Sequence, residues 1–103
     1  MLFHVTMTHS PDNCPLYSPP NEQKKFLADS EKMFDTAKQM NINIRFMVTG
    51  VGHVAYALIE ADDFITLNSF FGSSMPFKGD IQIEPVGDVK DVIAGFKKEL
   101  TKR

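Results

Sequence analysis

The chain contains one cysteine, Cys14, in 103 residues. A single thiol excludes an intramolecular disulfide framework and a cysteine-rich structural zinc site. There is also no excess of either charge. Eleven Lys+Arg stand against 13 Asp+Glu, so a basic footprint for nucleic acid is missing. No apolar run approaches the roughly 18 residues of a membrane span. The opening MLFHVTMTHS lacks the charged start and long apolar core of a secretory signal. HExxH, CxxC and GxSxG do not occur, and Gly50-x-Gly52 is too short to cradle a phosphate. The expectation is one soluble, cytoplasmic domain over residues 1–103, with no nucleic-acid or membrane partner. No motif names a cofactor.

What is present is periodicity. Hydrophobic residues make up 43% of the chain, enough for a core that buries roughly 60–70% of the unfolded surface. Phe3, Val5 and Met7 alternate with His4, Thr6 and Thr8, the period of a half-buried strand. Pro11, Pro15, Pro19 and Pro20 then impose a rigid, irregular loop, longer than most connections and a candidate for function. Asn21 is placed to cap a helix. Phe26, Ser30, Met33, Phe34, Ala37 and Met40 follow at helical spacing, and Asn41 is a stop. Ile42, Ile44, Phe46 and Val48 alternate as a second strand. Gly50-Val51-Gly52 turns the chain into a third, His53 to Glu60. Asp62 is placed to cap a second helix with Phe64, Leu67 and Phe71 on one side, and Gly72 to end it. Residues 72–77 then form a loop, or a cover for a pocket. Ile81 and Ile83 mark a fourth strand closed by Pro85. Asp88 opens a last helix striped by Val89, Val92, Ile93, Phe96 and Leu100.

This order predicts an α+β chain, the ferredoxin-like βαββαβ arrangement with a C-terminal helix. Its four-stranded antiparallel sheet has the order 4-1-3-2, with two helices on one face. Phe26, Phe34, Phe64, Phe71 and Phe96 fit the interior, with Phe34 against Phe46. The open face is expected to carry His4, Thr6, Thr8, Arg45, Met47, Ala55, Ala57, Gln82 and Glu84. That set mixes polar and apolar groups, whereas a fully solvated face is more often all polar. A second copy of the chain is the expected cover, since homodimers are the commonest oligomers.

Three stretches, MLFHVTMTH, GHVAYALIEADD and PFKGDIQIEPV, give the whole chain a resemblance to the dimeric α+β barrel superfamily. The resemblance implies two sheets closing a barrel between two subunits, and a pocket between sheet and helices in each. It also implies the chemistries found there: small monooxygenases, isomerases and haem-degrading enzymes. Fold alone does not choose among them.

Two polar clusters follow from the topology. The first is His4, Arg45 and Glu84, with Met47 beside them. It reads as an anion or carboxylate site in which Arg45 supplies a bidentate fork, or, as the commoner arrangement, an Arg45–Glu84 ion pair where two sheets meet. The second is His9, His53 and Cys14, at the end of the sheet where the first strand exits. His9 and His53 are the candidate general acid and base, since only histidine titrates near neutrality unaided. With the thiol they are also a ligand set for zinc or copper, and Met7 is a further soft donor.

Three functional expectations result. The first is a homodimer holding a small apolar or aromatic ligand in a pocket between sheet and helices, with cofactor-independent oxidoreductase or isomerase chemistry. The second is a metal-binding protein using His9, Cys14 and His53. The third is a non-catalytic oligomerisation module.

Overall fold

The computed structural model describes residues 1–75 and 79–103. Strand β1 (Leu2–Thr8) leads through the proline loop to helix α1 (Pro20–Gln39). Strands β2 (Asn43–Thr49) and β3 (Val54–Glu60) form the hairpin. Helix α2 (Phe64–Ser74), strand β4 (Asp80–Val86) and helix α3 (Val89–Lys102) complete the chain. All pairings are antiparallel, and the order β2-β3-β1-β4 is the expected one read from the other edge.

β1 and β3 are the central strands, and their register decides which residues are buried. Phe3, Val5 and Met7 oppose Ile59, Ala57 and Ala55. Directly opposed side chains share a face, so these six point toward the helices together. Met33 and Ala37 of α1 and Leu67, Phe70 and Phe71 of α2 pack onto them. Phe70 and Phe71 meet edge to face at 5.2 Å between ring centres, a favoured aromatic arrangement.

The structure departs from several sequence expectations. Ala57 is fully buried, and Ala55 and Met47 pack against the core rather than on the open face. Alanines belong beneath the helices because a small side chain lets helix and sheet approach closely. Phe46 lies on the open face instead, 43% exposed. Its displacement has a local cause: the β2–β3 register shifts between Ile44 and Phe46. The additional residue, Arg45, makes a bulge, and a one-residue slip moves every later side chain to the other face. Ile44 and Met47 therefore point inward, while Phe46 and Val48 point outward. Phe34 is 46% exposed, one position around the helix from buried Met33. It does not meet Phe46 in the core. Phe64 and Phe96 are exposed as well.

Helix boundaries shift for equally physical reasons. α1 begins at Pro20, not after Asn21. Proline suits a first turn, whose N–H has no partner within the helix. Asn41 takes a left-handed φ of 57° and ends α1, the backbone N–H of Ile42 donating to Ala37 O at 2.8 Å. The cap of α2 is Asp63, not Asp62. Its carboxylate accepts from Thr66 N–H at 2.7 Å, and that bond holds it below the ordinary carboxylate value. Gly72 lies inside α2, which runs on to Ser74. Of the expected loop over 72–77, Pro76 and Phe77 lie outside the described residues. Pro85 sits within β4 rather than closing it, which an edge strand tolerates because one row of its N–H groups meets no partner.

Denaturant unfolding separates the two classes of phenylalanine. Phe70→Ala, at a fully buried position, should cost about 3–5 kcal/mol. Phe34→Ala should cost about 1 kcal/mol or less. Equal losses would mean that the inward face of α1 has been misassigned.

Candidate metal centre

The β1–β3 ladder ends at Thr8 opposite Val54. One step beyond it, the backbone N–H of His9 donates to the carbonyl of His53 at 3.2 Å. The two histidines are thus fixed as neighbours by the same register that sets the core. Their rings stand nearly perpendicular, with centres 5.1 Å apart. His53 Nδ1 lies 3.3 Å from His9 Nε2.

The proline loop delivers the third group. It consists of two single-turn 3-10 helices, Pro11–Asn13 and Pro15–Tyr17, each opened by a proline. Cys14 is the joint between them. Its N–H donates to Pro11 O at 3.2 Å, and its carbonyl accepts from Tyr17 N–H at 3.1 Å. The amide of Gln23 ties the second turn to α1 by donating to Leu16 O at 3.0 Å. Proline fixes φ at the start of each turn, so the loop has few alternative paths. It returns Cys14, 5% exposed, to the strand end. The ligand atoms of His9, Cys14 and His53 all lie within 4.8 Å of one another. The juxtaposition expected from topology is therefore present.

This geometry admits an ion. Two nitrogens at 2.0–2.1 Å from a tetrahedral centre are roughly 3.3 Å apart, which is the separation found between the two imidazoles. A sulfur at about 2.3 Å from the same centre would lie roughly 3.5 Å from each nitrogen. Side-chain movement of about 1 Å reaches that arrangement from the present spread. Two neutral imidazoles and a thiolate suit zinc and copper. Without an ion, facing ring nitrogens satisfy each other only when one is protonated and donates. A bound ion would take both lone pairs in place of that hydrogen bond.

One of the two left-handed non-glycine residues among the described residues also lies here. His53 adopts φ 58°, and no described glycine has positive φ. The hairpin thus places its left-handed residue at the histidine, although Gly50 and Gly52 lie just before it. Non-glycine residues in this region cost of the order of 1 kcal/mol, and such strain collects at functional sites. Tyr17 stands at the rim, its ring centre 6.2 Å from that of His53.

The other expected cluster is not brought to one point. His4 opposes Glu84 across β1 and β4, and its ring lies 6.1 Å from that of Tyr56. Arg45 is on β2 at the far edge of the sheet, three strand spacings or roughly 14 Å from β4. It forms an ion pair with Glu60, not with Glu84. Met47 lies against the core on the opposite face, and Met7 is buried within that core. Hairpin pairing of the second and third strands would have pointed to Glu60 as the partner of Arg45.

Between sheet and helices, Phe3, Val5, Met7, Ile59, Leu67 and Phe70 are fully buried. Two surface grooves of about 410 and 420 Å³ flank α1, the first under the proline loop and the second beside the end of α2. Both have charged linings that include Lys25 and Asp29, and neither is lined by His9 or His53. No family model and no curated protein matches the chain. No helix among the described residues is long and apolar enough to cross a membrane.

One supporting residue escaped the sequence reading. A Cβ added at Gly79 would overlap the carbonyl of Thr8 and come within 3.2 Å of His9 Cβ. Gly79 therefore allows the chain entering β4 to close on the strand end that carries His9. Gly79→Ala should lower stability by about 1–3 kcal/mol through overpacking, read from thermal unfolding. An unchanged melting temperature would show that this close approach is not needed.

Proposed function

We propose that the protein binds one borderline or soft transition-metal ion, zinc or copper, through His9, Cys14 and His53. One observation carries the reading: three donors of suitable chemistry, from two strand ends and a proline-held loop, have ligand atoms within 4.8 Å of one another. Three protein ligands leave a fourth position for water or an exogenous ligand, the arrangement of reactive rather than purely structural sites. Both histidines then act through coordination, which takes precedence over their expected roles as general acid and base.

Self-association belongs to the same reading. Phe46, Val48 and Tyr56 lie 41–52% exposed on the open sheet face. A second copy closing over that face would remove them from water, as in the barrels that the sequence resembles.

Titration with zinc and with cuprous ion, at neutral pH under reducing conditions, tests the site. The wild type should take up one ion per chain. Affinity should fall as the pH is lowered, because protons compete for the two imidazoles and the thiolate. Cys14→Ser and His9→Ala should each weaken binding at least tenfold. His53→Gly is the most informative variant, since it removes a ligand at a left-handed position that glycine occupies without strain. It should lose binding while keeping or raising its melting temperature. Equal binding by the wild type and all three variants would refute the site.

A further inference from the structure

We infer that helix α3 is an arm that packs onto a second copy of this chain, over the β2 side of that copy's open sheet face. All fourteen residues of α3 are exposed. It touches no other helix or strand among the described residues, and the molecule extends 62 × 30 × 18 Å. Yet α3 is strongly amphipathic. Val89, Val92, Ile93, Phe96 and Leu100 form one stripe, each 50% or more exposed. A helix with such a stripe takes its stability from packing that stripe against something.

Three observations select a second copy as the occupant. The first is a matching surface: Phe46, Val48 and Tyr56 form an exposed apolar patch on the open sheet face. The second is size. Fourteen helical residues span about 21 Å, close to the roughly 23 Å of a seven-residue strand. The third is charge. Residues 88–103 hold five basic and three acidic side chains, leaving six basic and ten acidic in the rest of the chain. The arm is net positive and the body net negative, so the arm of one copy is attracted to the body of another. α3 follows β4, the edge strand opposite β2. In a two-fold dimer each arm would meet the other copy's patch, and the exchange would be reciprocal.

This inference rests on the self-association reading, and one experiment separates the two. The full chain should give close to twice 11.6 kDa by light scattering at micromolar concentration. Phe96→Asp and Val48→Asp should each yield a monomer with an unchanged circular dichroism spectrum. Neither side chain contributes to the buried core, and Leu100→Asp replaces Phe96→Asp if that variant fails to fold. A monomeric wild type would overturn both readings, whether or not α3 then bound anionic lipid vesicles. A dimer that survives Phe96→Asp would overturn the role of α3 and leave self-association standing. A dimer lost with Phe96→Asp but kept with Val48→Asp would overturn the placement of α3 on the β2 side.

Discussion

The antiparallel register of β1 against β3 is the constraint on which the other features depend. Val5 opposes Ala57 at the centre of the sheet, and both are fully buried. The side-chain period of a strand is two, so a shift of one residue would turn Phe3, Val5 and Met7 to the open face. The core therefore specifies the register strongly. The same register fixes where the ladder stops, and the stopping point brings His9 beside His53. A requirement of hydrophobic burial thus determines the distance between two imidazoles that are 44 positions apart in sequence.

The third donor depends on a different kind of order. The proline loop has no sheet to hold it, but its two short 3-10 turns and its prolines restrict the paths that it can take. Cys14 occupies the joint, where its own N–H and carbonyl are both bonded. The sulfur is thereby held near a strand end without belonging to a strand. His53 carries the complementary cost, a left-handed backbone at a residue with a Cβ. Rigid loop, strained turn and closely packed Gly79 all meet where the three donors converge.

Much of this was legible in the sequence, and the parts that were not have identifiable causes. Element order and strand order follow from periods of 2 and 3.6 and from turn residues. Alternation had indicated the inward set Phe3, Val5 and Met7 correctly. The proximity of His9, Cys14 and His53 followed from antiparallel pairing and a short proline-restricted loop. Arg45 defeated the second strand, because alternation carries no mark of a bulge and every residue after it changed face. Alternation in β3 does not say which of its two faces meets the helices, and Ala55 and Ala57 lie on the packed one, where small side chains allow close approach. Phe34 and Phe96 show the remaining gap. Helical spacing identifies an apolar stripe but not the surface that covers it.

Metal binding is the central functional proposal, and it makes a commitment about atoms. X-ray absorption spectroscopy on the zinc- or copper-loaded protein reads the ligand shell directly. The account predicts imidazole nitrogens at about 2.0–2.1 Å together with one sulfur at about 2.3 Å. The sulfur should vanish from the shell in Cys14→Ser. A shell of nitrogen and oxygen alone in the wild-type protein would contradict it.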